Sequence, residues 1–325
     1  MPVGNLHNAA YFQNEELFSA EFLSGSTLKQ LSSLMEFYGE DGDVIASGLY
    51  SELRSILTQR SLNVGYSSFT EYAYSRMGLC RSVTEALRQY AAGTVRSEDI
   101  EPAEDTDISP SELLGIFENI PVLGDVLGRL SREGRIKFSD SSYTLLAERD
   151  SLPEVYVCLR GKMSDTEVLS HELGHAAGMM ICRDEVDILS SEIHGRMAEY
   201  FTVGFLPTEL REEYCRYLFK KRRRHILLTS ALSEFEEVFY DEMIPMKEAG
   251  EVWKNISRKY SLGEMSLTAA IKSGRLSEFP LYSINYFLSG IYSYHKREVL
   301  TEGNFGSFLN KNYNIREISD ELLRI

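Results

Sequence analysis

In the stretch EVLSHELGHAAGMM (residues 167–180), His171 and His175 stand four positions apart, with Glu172 beside the first. Four residues is close to one helical turn, so a helix here directs both imidazoles from one face toward a single point. Neutral imidazole is a good zinc ligand, and two of them hold an ion while leaving coordination positions open. Glu172 then stands where its carboxylate reaches a metal-bound water without binding the metal, which is the place of a general base. Gly174 lies inside the same run. Glycine costs ~1 kcal/mol in a helix interior, and in return it keeps the helix slim where a second helix could approach. Such a helix needs a partner that brings a third ligand, because a catalytic zinc usually takes three from the protein.

The segment RDEVDILSSEIHGRMAEYF (183–201) is the candidate partner. Glu185, Glu192 and Glu199 recur every seven residues and share one helical face, beside an apolar stripe of Val186, Leu189, Ile193, Met197 and Tyr200. Glu192 lies 21 positions after His171, room enough for the first helix, a turn and a return. Glu199 is the rival ligand, or else a group supporting one. His194 points away from the Glu192 face and reads as a surface or packing residue. Upstream, EVYVCLRG (154–161) is β-branched and aromatic and ends in Gly161, which predicts a strand. Ser164 and Glu167 have the spacing of a capping box opening the histidine helix. The local order is therefore strand, turn, helix.

Elsewhere the pattern is helical. Within residues 9–95, LKQLSSLMEFYG, VIASGLYSELRSILTQR and SVTEALRQYAAG space apolar residues three and four apart. SEDIEPAEDTDISPSE (97–112) is acidic, carries two prolines and reads as a linker. It ends in a helix start, with Ser109 as N-cap, Pro110 in the first turn and Glu112 at the capping-box position. These features predict an N-terminal helical lobe over 1–108 and a catalytic lobe over 109–325. From 185 onward the chain reads as helices divided at Pro207, Gly250, Gly263 and Pro280.

A net charge of -15 and a pI of about 5.0 argue against general affinity for nucleic acid or anionic membranes, which require a cationic surface. The run KKRRRH (220–225) reads as a solvated helix face rather than a nucleic-acid patch. No run approaches the ~18 apolar residues of a membrane span, and the N-terminus lacks a signal-peptide pattern, so a cytoplasmic protein is expected. The four cysteines are too few and scattered for a disulfide framework, and reduced thiols are expected.

The order YVCLRGKMSDTEVLSHELGHAAG, then SEIHGRMAE, LLTSALSEFEEVFYDE and GNFGSFLNKNYNIREISDELL, resembles the M3 family of zinc metallopeptidases, the thimet oligopeptidase and oligoendopeptidase F group, over roughly residues 150–325. The resemblance implies a mainly α fold of the gluzincin type with a small β-sheet beside the active-site helix. It implies one zinc per chain, held by His171, His175 and Glu192, with Glu199 supporting; a shorter interval than the family's keeps Glu199 open as the ligand. It also implies an edge strand at Val155, Tyr156, Val157, Cys158, Leu159 and Arg160 that pairs with substrate backbone, and hydrolysis of short peptides by water activated by Glu172. The family binds the scissile carbonyl through a histidine and tyrosines on a C-terminal helix. SEFPLYSINYFLSGIYSYHK has the tyrosines without the preceding histidine, leaving Tyr286, then Tyr282, as oxyanion donors. Gly178 stands where many members carry a further histidine. Two further readings stay open: a metal-fold scaffold that binds a protein partner with little or no catalysis, and a protease dedicated to one protein substrate.

Overall fold

A computed structural model describes residues 54–95, 105–146, 151–182, 186–242, 244–267, 269–270, 281 and 283–324. In chain order the named helices and strands are α1 (Phe69–Met77), α2 (Arg81–Thr94), α3 (Pro110–Phe117), α4 (Leu123–Arg132), β1 (Ile136–Phe138), β2 (Tyr143–Leu145) and β3 (Glu154–Val157). They continue with α5 (Asp165–Ile181), α6 (Ile188–Thr202), α7 (Thr208–Asp241), α8 (Met246–Lys259), α9 (Ser283–Lys296), α10 (Glu302–Leu309) and α11 (Ile315–Leu322). The fold is thus mainly helical with one small sheet, as the sequence predicts. No helix among the described residues is long and apolar enough to cross a membrane.

Contacts divide the chain into two compact units that are discontinuous in sequence. The sequence predicts a single boundary near residue 108; the first unit holds the described residues within 105–222 and 289–314, and the second those within 54–95, 223–288 and 315–324. The helical run predicted at LKQLSSLMEFYG lies outside the described residues, as does Pro280. Pro207 directly precedes α7 and Gly263 lies in the non-helical stretch after α8, whereas Gly250 lies inside α8.

In the first unit, α5 and α6 pack along each other with almost no side chain between them. A Cβ added at Gly174 would lie 2.7 Å from the Ala198 Cβ and 2.7 Å from the His194 carbonyl oxygen. One added at Gly195 would lie 2.8 Å from the His171 ring, and one at Gly178 would strike the His194 imidazole. Leu169, Leu173, Ala176 and Ala177 on α5 and Ile193, Met197 and Ala198 on α6 are fully buried beside these glycines. The next layer of core is Met163, Tyr200, Leu206, Tyr214 and Leu218.

The sheet has the order β1-β3-β2, with β1 parallel and β2 antiparallel to β3. This corrects the expectation of an edge strand at Val155–Arg160. Val155 and Tyr156 pair on both sides and Val157 pairs with β1, since a β-branched run buried at alternate residues is the natural middle of a sheet. Beyond the strand, the Cys158 amide donates to Ser142 Oγ at 2.8 Å and the Arg160 amide to Asp165 Oδ2 at 2.7 Å.

Two helix starts contrast. Ser109 accepts from the Glu112 amide and Pro110 opens α3, as the sequence predicts. Ser164 makes no cap to α5. Its amide and hydroxyl both bond to Asp105, and the Glu167 carboxylate is taken by Lys221 and Arg222. Asp165 orders the turn instead, accepting from the amides of Arg160, Gly161 and Lys162, with Gly161 at a φ of 77° that glycine adopts without strain.

In the second unit, Arg88 grips Glu237 with two hydrogen bonds of 2.7 Å, and the Tyr74 hydroxyl donates to the same carboxylate. Its neighbour Glu236 is fully buried and accepts from the Leu281 amide and the Ser283 hydroxyl, each at 2.6 Å. Burial outweighs those bonds and pushes the Glu236 carboxyl up to about 8.

Gly174→Ala should destabilise the first unit by about 1–3 kcal/mol, read by urea unfolding, because the backbone atoms of α6 leave no room for a methyl. The folded state keeps a proton on Glu236 that the unfolded chain releases above about pH 4.5, so this group's contribution to stability falls as pH rises toward 8. Glu236→Gln should therefore flatten the loss of melting temperature between pH 5 and 8 relative to wild type.

Candidate metal and catalytic site

The closeness of α5 and α6 groups three donor side chains. One ligand atom each from His171, His175 and Glu192 lies within 4.8 Å of the others, the one such group of three or more among the described residues. His171 Nε2 is 3.8 Å from Glu192 Oε2, and His175 Nε2 is 4.0 Å from Glu192 Oε1. The two rings meet edge to face with centroids 4.4 Å apart. All three side chains are part-buried rather than sealed, which leaves the cluster an open side.

Each imidazole is tied down through its other nitrogen. His171 Nδ1 donates to Glu199 Oε1 at 2.6 Å, and His175 Nδ1 is hydrogen-bonded to Ser191 Oγ at 2.8 Å. That fixes ring orientation and turns both Nε2 atoms toward Glu192, as hydrogen bonds behind metal-binding histidines do. Arg196 Nη2 approaches Glu192 Oε2 at 3.6 Å, and its Nε donates to Ser289 Oγ at 3.2 Å. The geometry thus separates the two carboxylates the sequence left open: Glu192 joins the imidazole nitrogens, and Glu199 stands behind His171. Glu185 lies outside the described residues.

Glu199 is completely buried and is held by Arg222, whose Nε and Nη2 donate at 2.5 and 2.6 Å. Arg222 also bonds Glu167, which receives Lys221 Nζ at 2.5 Å. Burial alone would raise the Glu167 carboxyl, but the two cations outweigh it and bring it down to about 2. The basic run at 220–225 is therefore not a solvated face throughout, because Arg222 is buried inside the network. Its signal was available in the sequence. Tyr214, Leu218, Arg222 and Ile226 recur every four residues and are all buried on α7.

Glu172 lies on α5 between the two histidines and is 7% exposed. Burial pushes its carboxyl up to about 7, against the His171 charge and a Thr144 hydrogen bond that both lower it. Thr144 Oγ1 on β2 donates to Glu172 Oε2 at 2.7 Å and approaches the Glu172 carbonyl oxygen at 3.0 Å. Thr144, Ser191 and Arg222 are the site residues that sequence reading missed. The His171 pKa also rises: burial disfavours its charge, but Glu199, Glu192 and Glu172 together outweigh it. Burial and the neighbouring His171 lower that of His175.

His194 is fully buried, its ring in the space beside Gly178 and its Nε2 3.0 Å from the Lys311 carbonyl oxygen. Tyr286, on α9, belongs to the second unit, where its ring lies edge-on to His225 with centroids 6.1 Å apart. Tyr282 lies outside the described residues. All four cysteines are free thiols, as expected.

The donor set fits a catalytic zinc: two imidazole Nε2 atoms and one carboxylate, with each ring's second nitrogen anchored and one side open. Replacing Arg222 with Met would leave Glu167 and Glu199 buried without their shared cation. The expected loss is about 3–5 kcal/mol in urea unfolding. Arg222→Lys should recover only part of it, because an ammonium cannot span both carboxylates as the planar guanidinium does.

No family model matches this chain, and no curated protein matches it. Solved structures do. PZ peptidase A with an inhibitor superposes with a TM-score of 0.69 at 16% identity, covering 85% of this chain and 61% of that one. A structure assigned as an oligoendopeptidase F gives 0.69 at 17% identity with the same coverage, 85% and 61%. One assigned as an oligoendopeptidase F from Bacillus anthracis str. Ames gives 0.65 at 16%, covering 86% and 59%. The chain spans about three-fifths of the length of these structures. The fold of the M3-type peptidases, expected from the order of motifs, is therefore the fold of this chain.

Proposed function

We propose that this protein is a zinc-dependent peptidase acting on short peptides, with His171, His175 and Glu192 as the ligands of one zinc. The grouping of their three donor atoms within 4.8 Å, with the Glu172 carboxyl on the same helix, carries the reading. A bound zinc would supply Lewis-acid polarisation of the scissile carbonyl and a more acidic water. Glu172 takes a proton from the attacking water and returns it to the leaving amine. Its place on α5 between His171 and His175 suits both halves of that transfer. Thr144 Oγ1 holds Glu172 in place by its hydrogen bond to Oε2. Glu199 fixes His171 and keeps its Nδ1 protonated, and Ser191 fixes His175.

Substrate backbone adds along β2 rather than β3. β2 has no second neighbour in the sheet among the described residues, and extended peptides commonly pair with such an edge. It also carries Thr144, so a peptide on this edge runs past Glu172.

Cleavage of a mixed peptide library, followed by mass spectrometry, tests the reading. Glu172→Gln should lower kcat at least about 100-fold while zinc content stays at one per chain. Glu192→Ala should lose the metal itself. Glu199→Gln should keep it with about 10–100-fold weaker affinity in chelator competition. Tyr286→Phe tests separately the oxyanion role implied by the family resemblance: a tenfold or larger fall in kcat supports it, and unchanged kinetics removes it. Absence of cleavage by zinc-loaded wild type would overturn the short-peptide reading in favour of a dedicated protein substrate or a binding scaffold.

A further inference from the structure

The outer face of the sheet carries a row of side chains that the reaction does not use. Lys137, Tyr156 and Tyr143 sit directly across from one another on β1, β3 and β2. The two tyrosine rings are stacked, with centroids 4.5 Å apart and planes 18° from parallel. Tyr156 is pinned at its far end, where its hydroxyl donates to Glu154 Oε2 at 2.9 Å and accepts from Lys137 Nζ at 3.1 Å. Lys137 closes the triangle with a 2.8 Å bond to Glu154. Tyr143 therefore rests on a ring that cannot turn away. Arg135 bonds the remaining Glu154 oxygen at 2.9 Å, which fixes the carboxylate as well.

Successive residues of a strand face opposite sides of the sheet. Thr144 faces α5 and holds Glu172, so Tyr143, one residue earlier, faces the other way. Neighbouring strands repeat at ~4.8 Å, so a peptide strand added to the β2 edge that has no neighbour among the described residues sets one residue opposite Tyr143, as Tyr156 is on the other side. Aromatic pairs across strands attract beyond their buried area, most of all where one ring is already held.

Resting on the peptidase reading, we propose that β2 selects substrates: the peptide residue lying across from Tyr143 is preferentially aromatic. The neighbouring peptide residue faces Thr144 and Glu172, so the preferred aromatic lies within about two residues of the cleaved bond. The substrate class is then short, extended peptides carrying phenylalanine or tyrosine near the scissile position, continuing the row Lys137, Tyr156, Tyr143 by one more ring.

The test uses zinc-loaded Glu172→Gln protein, which binds without cutting, and capped alanine-based heptapeptides in which a single phenylalanine moves one position at a time. Wild-type cleavage of the same peptides is followed in parallel. The proposal expects about fivefold tighter binding or more at one phenylalanine position over the all-alanine peptide. Adding Tyr143→Leu should bring that ratio close to one, and adding Tyr143→Phe should keep it. Equal binding across the series, a leucine peptide matching phenylalanine, or a preference that survives Tyr143→Leu would each overturn it. So would the absence of binding by every peptide. Wild-type cleavage then reports separately on the peptidase reading: cleavage without the aromatic preference sinks this inference alone, and no cleavage sinks the reading beneath it.

Discussion

The contact between α5 and α6 is the constraint on which the site depends. Two helices normally stand 8–10 Å apart because side chains separate them. Here Gly174 and Gly195, with Ala198, remove the separating atoms over the length that carries the ligands. The two imidazoles of one helix consequently reach the Glu192 carboxylate of the other at 3.8 and 4.0 Å. Gly178 extends the same device, yielding its space to the His194 ring. These glycines weaken helix propensity at each position they occupy, and close packing of fully buried neighbours such as Leu173, Ile193 and Met197 offsets that cost.

Bringing polar groups this close inside a fold requires that each be satisfied. The chain from Glu199 through Arg222 and Glu167 to Lys221 alternates sign at every step, and His171 donates into it. No buried carboxylate in it lacks a donor, which is how charged groups survive in a low-dielectric interior. The same network gives the histidine a fixed direction. The orientation of a donor side chain and internal stability are here properties of one set of hydrogen bonds, and the long α7 helix contributes two of its members.

The spacing of His171, Glu172 and His175 made two members of the donor cluster legible before any fold was known, because helical geometry alone puts the two imidazoles on one face. The apolar stripe beginning at Val186 similarly foretold a partner helix, and Ser109 with Pro110 foretold where α3 begins. Other features were out of reach of a linear reading. Glu192 and Glu199 share a helical face and differ only in depth along it, so their separate roles depend on where α5 crosses α6. The EVYV run was legible as a strand, yet its central position depends on β1 and β2, two three-residue strands with little pattern of their own.

What the sequence determined by itself is chemistry set by local period: the HExxH face, the predominance of helix, the strand before the active helix. What only the tertiary structure decided is partnership between residues distant in the chain. Arg222 lies 23 residues beyond Glu199, and Thr144 lies 28 before Glu172. Thr144 carries no local signature, and the four-residue period that marks Arg222 for burial does not name its partners, which only proximity in the fold supplies. The physical reason is one of range. Helical and strand periods are fixed over a few residues, while hydrogen bonds and charge compensation act wherever folding has removed water.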